Sequence, residues 1–220
     1  MIKIYFKKYF AILFLLLWCI SCFACKVIVL FGPSCAGKSV LGKSLCAQLG
    51  ISWEFVDRDD LIEQRADKAD RPDQEELYFL ANEINKRLHD KNANLVVDTN
   101  LYTDDFITLI NTASVMRVLV YVPLNVLLER DAQRTQLLQR SAKNAYYAKQ
   151  FVLNTYEYYI SNAYANKKIV CQEKSGENMY ARFDCDICIN TQSMPINAAS
   201  DLIQEWVAKK LSSLAFKPKD

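Results

Sequence analysis

The eight residues Gly32-Pro33-Ser34-Cys35-Ala36-Gly37-Lys38-Ser39 fit Gly-x-x-x-x-Gly-Lys-Ser/Thr, and no other part of the chain constrains its fold as tightly. A loop of this kind holds anions when a strand delivers it and a helix leaves it, so that successive N–H groups converge at the positive end of a helix dipole. Both flanks meet that demand. Val27 to Phe31 is a short, wholly apolar run of the kind needed by a strand buried on both faces. Val40, Leu41, Leu45 and Leu49 then recur at helical spacing until Gly50 stops the helix. The N–H groups from Ser34 to Ser39 are therefore expected to cradle phosphates. Lys38 would reach the β and γ phosphates, and the Ser39 hydroxyl would hold magnesium.

The rest of the chain repeats the alternation. Strands are expected at Trp53 to Val56, Leu95 to Val97, Val118 to Val122 and Ile187 to Ile189. Helical stripes lie between and after them: Leu77, Leu80, Ile84 and Leu88; Phe106, Leu109 and Ile110 behind a Thr103 cap; a helix opened by Pro123; and Leu202, Ile203, Trp206 and Val207. This predicts an α/β fold, a five-stranded and mostly parallel sheet flanked by helices on both sides, with its site at the carboxyl ends of the strands. Those ends carry chemistry. The second offers Asp57, Asp59 and Asp60, the third Asp98 and Asn100, and the helix after the fourth carries Arg130 and Arg134 one turn apart. Phosphoryl transfer needs a base for the acceptor hydroxyl, an anchor for magnesium and cations for the moving charge. Asp59, Asp98 and the two arginines are assigned to those tasks in turn. Asp57 and Asp60 read as solvated loop carboxylates, and Arg130 and Arg134 could instead pair with Glu129 and Asp131.

These residues resemble the small P-loop kinases, the group of shikimate and gluconate kinases, chloramphenicol phosphotransferase and polynucleotide-kinase-like proteins. "GPSCAGKS" is similar to the phosphotransferase loop, with Cys35 in place of a serine. "FVDRDDLIE" is similar to acidic segments of both the phosphotransferase and shikimate kinase, a likeness that puts Asp59 at the position of the acceptor-activating carboxylate. "VVDTN" and "LLERDAQR" resemble the polynucleotide-kinase-like group, and "DCDICINTQSMP" resembles a closing strand near the adenine, with Asn190 where an Asp is usual. The Gly-Gly turn that binds shikimate is missing after the third strand. The resemblance implies an ATP-dependent phosphotransferase acting on a hydroxyl of a small molecule, with magnesium. The alternative is a membrane-associated or exported nucleotide-binding protein that switches or scaffolds without turnover.

The first 25 residues introduce a conflict. Three lysines by residue 8, about sixteen mostly apolar residues, and the small residues Ser21 and Ala24 read as a signal peptide or membrane anchor. ATP is cytoplasmic, so a cytoplasmic protein whose start is assigned too early stays open beside export. Residues 26–220 are left as one kinase-like domain. With 27 basic and 25 acidic residues, no broad nucleic-acid surface is expected. Cys185 and Cys188, placed on a strand, would stand about 10 Å apart on opposite faces, too far for a disulfide. The tyrosine-rich stretch from Ser141 to Lys168 either lines an acceptor pocket or packs a helical face onto the core, the second being favoured.

Overall fold

The computed structural model describes residues 27–64, 73–91, 93–112, 114–164, 168–172 and 176–215. The signal-peptide-like first 25 residues lie outside them. Among the described residues no helix is long and apolar enough to cross a membrane.

Strand β1 (Val27–Phe31) has no exposed residue on either face, as its unbroken apolar run requires. Helix α1 (Lys38–Leu49) follows the loop, β2 is Trp53–Asp57, and α2 (Arg58–Glu63) and α3 (Asp73–Asp90) lead to β3 (Asn94–Thr99). Helix α4 is Asp104–Leu109, β4 Val115–Tyr121, α5 Leu124–Leu137 and α6 Ala142–Tyr159. Short strands β5 (Ile160–Ser161), β6 (Ile169–Gln172) and β7 (Asn178–Ala181) precede β8 (Ile187–Asn190) and the closing helix α7 (Ile196–Ala215). The main sheet is five-stranded and wholly parallel, in the order β2-β3-β1-β4-β8. Every expected strand is present, most of them a residue or more longer than the apolar runs suggested.

This register builds the mouth of the sheet. Leu30 pairs with Asp98 and Phe31 with Thr99, so β3 ends beside the start of the phosphate loop. Asp57 and Asp98 are register partners at adjacent strand ends, which brings two carboxylates to one place. Gly32 must be glycine there: its φ is +140°, and a Cβ would stand 2.1 Å from the backbone oxygen of Val120. Helix α1 lies against β2 so closely that a Cβ on Gly42 would meet the Phe55 ring at 2.3 Å. Helix α7 packs on α1, with Ser200 donating to Ser44 and Gln204 to Gln48.

Some details differ from the sequence reading. Val40 is 62% exposed, because the buried stripe of α1 runs instead through Leu41, Gly42 and Leu45. Asp57 is no loop carboxylate: it caps α2, accepting the Asp59 N–H at 3.0 Å. A second sheet, antiparallel and ordered β5-β7-β6, was not expected. Cys185 precedes β8 rather than lying on it, and its sulfur is 3.3 Å from that of Cys188, so the separation expected for two residues of one strand does not hold.

Candidate active site

The loop leaves β1 through Gly32 and enters α1 through Gly37, which has φ +93° and forms the helix N-cap without a side-chain bond. Cys35 adopts φ 64°, the left-handed region, a conformation that concentrates where a loop must fold tightly around a ligand. The Ser34 N–H does not point into the concavity. It donates to Thr155 Oγ1 at 3.1 Å, so the cradle begins beyond that residue.

Lys38 is almost fully buried, and its Nζ donates to the carbonyls of Gly32 (3.2 Å) and Pro33 (3.0 Å), 4.0 Å from Asp98 Oδ1. Burial pulls the pKa of Lys38 down, opposed first by the charge of Asp98. Burial also pushes Asp98 up, against the pull of Lys38 and of the hydrogen bond from Ser39. Ser39 Oγ donates to Asp98 Oδ2 at 2.5 Å. A hydroxyl and a carboxylate in contact are hard oxygen donors of the kind magnesium takes when phosphate and water complete its shell. Among the described residues no group of three or more His, Cys, Asp or Glu could hold a metal by itself.

Asp59 projects from α2, about 62% exposed, and pairs with Arg58 Nη1 at 2.8 Å. Glu76 of α3 takes the other end of that guanidinium. Asp57 is pushed up by burial and by its acidic neighbours Asp59 and Asp60. Arg130 is committed to structure at its tip: Nη1 donates to Cys35 O (3.3 Å) and Thr191 Oγ1 (3.1 Å), and Nη2 to Thr191 O (3.3 Å). Thr191 in turn donates to Ala36 O at 2.6 Å. Asp131 pairs with Arg140 at 3.3 Å, so the expected alternative of an Arg130 or Arg134 pair with Asp131 is not what forms.

One cavity of about 530 Å³ gathers these groups: Ser34 to Ser39 in large part, Asp57, Asp59, Asp60, Asp98, Arg130 and Arg134. Pro33 and Ala36 shape the loop behind it, Pro33 through the carbonyl that takes Lys38 and Ala36 as a fully buried packing residue. A second cavity of about 760 Å³ adjoins the first, and Arg58 and Asn100 line both. Its walls come from α3, α4 and α6 and from the turn after β3. Beneath it Tyr102 stacks on Phe31 at 4.0 Å, while Tyr159 Oη accepts the Tyr102 N–H and donates to Asn100 O at 2.7 Å. Helix α6 divides its side chains between the core and this cavity. Tyr156 and Tyr159 are core, and Phe151, Asn154 and Tyr158 face the cavity.

Thr155, Thr191 and Arg58 carry contacts that sequence reasoning did not assign. Only Thr191 had a signal, its place in the closing-strand motif.

A family model described as an AAA domain matches residues 27–151, and the chain belongs to that family of P-loop domains. Among solved structures it is similar to shikimate kinase from Acinetobacter baumannii in complex with shikimate, at 18% identity and TM-score 0.53, covering 84% of this chain and 93% of that one. It is also similar to a sugar kinase from Janibacter sp. HTCC2649, at 15% identity and TM-score 0.51, covering 83% and 94%. An uncharacterized protein from Eubacterium ventriosum ATCC 27560 matches at 15% identity and TM-score 0.51, covering 83% and 98%. No curated protein matches the sequence. The fold is that of the P-loop small-molecule kinases.

Proposed function

We propose that the protein transfers the γ-phosphoryl group of MgATP to a hydroxyl of a small molecule. The observation that carries this reading is the junction of the two cavities: a phosphate loop alone suffices for a switch, whereas an adjoining second cavity gives an acceptor somewhere to stand. The acceptor would approach past Asn100 and Arg58. Asp59, held at the wall by Arg58, takes the proton of the attacking hydroxyl as its oxygen bonds to the γ-phosphorus and the bond to the departing ADP oxygen breaks. Lys38 and Arg134 offset charge on the phosphates, and Arg130 holds the loop against Thr191 so that its N–H groups keep their aim. Magnesium, which Ser39 and Asp98 would hold, supplies charge neutralisation at the phosphate oxygens.

Incubating the full-length protein with labelled MgATP and an acceptor panel tests this. Transfer to an organic hydroxyl is expected, and nucleotide binding with no transfer to any acceptor would favour the switch or scaffold instead. Because Cys35 lines the phosphate cavity, alkylating it is expected to block nucleotide binding, with saturating MgATP protecting the thiol. Equal labelling rates with and without MgATP would place the nucleotide elsewhere. For the leader we propose export or membrane attachment. Residues 1 to 30 fused to a reporter are expected to carry it to the membrane fraction or beyond, whereas a start assigned too early predicts a soluble reporter.

A further inference from the structure

The second cavity says more about the acceptor than the phosphate site does. Its volume of about 760 Å³ suits a drug-sized molecule. Much of its wall is apolar or aromatic, with Leu77, Leu101, Leu109 and Tyr158 among the lining residues. Two further aromatic side chains, Tyr78 of α3 and Phe151 of α6, stand about half exposed there (49% and 48%), rings without a full covering. The uncharged polar residues of the wall are Asn100, whose carboxamide oxygen has no hydrogen-bond partner among the described residues, and Thr103, Thr108, Asn154 and Thr155. The charges point the same way. The cationic lining residue is Arg58, already shared between Asp59 and Glu76, and the acidic one is Asp105. An anionic acceptor would therefore meet a neutralised guanidinium and a carboxylate, a pairing that costs desolvation with no charge to offset it.

We propose that this cavity takes an uncharged alcohol with a flat apolar or aromatic body, its hydroxyl end directed past Asn100 toward the phosphate loop. The proposal rests on the kinase reading. Its test compares three probes that share one polyol end: glyceryl phenyl ether, glycerol and glycerate. Their binding to the full-length protein is measured calorimetrically in the presence of magnesium and a non-hydrolysable ATP analogue, after the analogue itself has been titrated. The ether is expected to bind at least about tenfold more tightly than glycerol, and glycerate more weakly than either. Phe151→Ala and Tyr78→Ala, both at half-exposed positions and each compared with the parent by circular dichroism, are expected to narrow the gap between ether and glycerol by about fivefold or more. If the analogue does not bind, the kinase reading fails. If the analogue binds but the ring brings no advantage, if glycerate is preferred, or if none of the probes binds, the acceptor class is wrong while the nucleotide site stands.

A second inference rests on separate residues. Cys185 and Cys188, half-buried at the entry to β8, bring their sulfurs to 3.3 Å. The turn between them is held from both sides: Asp186 Oδ2 accepts the Arg117 N–H at 2.7 Å, and Lys168 Nζ donates to Asp186 O at 3.2 Å. We infer that this pair is a reversible thiol–disulfide site, oxidised by exchange with a low-molecular-weight disulfide. The Cys188 thiol is the acidic member, held down by the hydrogen bond from Cys185 and helped by Lys168, while that same bond pushes Cys185 up. The Cys188 thiolate attacks one sulfur of oxidised glutathione and expels a glutathione thiolate. Cys185, losing its proton to solvent, then attacks the Cys188 sulfur and releases the second glutathione, so two protein thiols are oxidised as one disulfide is reduced.

Treatment of the full-length protein with oxidised glutathione, then N-ethylmaleimide, is read by peptide mass. The peptide holding both cysteines is expected to lose two hydrogens and escape alkylation, with dithiothreitol restoring it. In Cys185→Ser the reaction is expected to stop at the mixed disulfide on Cys188. Alkylation of both thiols after oxidation, or two glutathione adducts that never resolve, would overturn the inference.

Discussion

Lys38→Ala is expected to lower turnover by about 10²-fold or more, close to 3 kcal/mol in the barrier, with circular dichroism and melting close to those of the parent. The ammonium is buried and binds two loop carbonyls and Asp98, yet burial lowers its pKa, so it is costly to keep charged until phosphate arrives. On the proposed reading phosphate compensates that cost, and the compensation grows as charge moves to the leaving oxygen. Steady-state transfer from labelled MgATP is the measurement. Undiminished turnover in a folded variant would remove Lys38, and with it the phosphate loop, from the reaction.

The second large effect separates two carboxylates that line the same cavity. Asp59→Asn keeps nearly the same shape and is expected to leave MgATP affinity near normal while slowing transfer by about 10² to 10⁴-fold. Asp98→Asn is expected to fail differently, by raising the magnesium concentration needed for half-maximal binding, since Asp98 is the group in contact with Ser39. Asp57→Asn is expected to be mild, because asparagine caps a helix about as well as aspartate and Asp57 holds α2 through that cap. The true acceptor must be present, since hydrolysis by water does not require the base. Loss of transfer in Asp57→Asn or Asp60→Asn but not in Asp59→Asn would reassign the base.

The sheet was legible because its central strands β1, β3 and β4 are buried over most of their length on both faces and therefore carry apolar runs, unbroken in β1. The phosphate loop was legible because glycines at positive φ and a Lys-Ser pair are fixed by local geometry. The short sheet β5-β7-β6 was not, since strands of two to four residues carry no period to read. Nor could Val40 be told from Leu41 by spacing alone: which flank of α1 faces β2 depends on Gly42 seating Phe55. At the site, Asp59, Asp98, Arg130 and Arg134 share one cavity, as the strand-end rule required. The contacts of Arg58 with Glu76, of Arg130 with Thr191 and of Ser34 with Thr155 join residues 18, 61 and 121 positions apart, and no local pattern encodes them.

The last of these contacts has a thermodynamic corollary. Thr155 sits on α6, whose neighbouring side chains wall the second cavity, and it accepts the N–H of a residue in the phosphate loop. A single hydrogen bond thus belongs to both ligand environments. Any occupant of one cavity that strengthens or breaks it changes affinity in the other by a factor that must be the same in both directions. The helix and the loop are in this sense one linked pair, and on the kinase reading the Ser34–Thr155 bond makes occupancy of the two cavities mutually dependent.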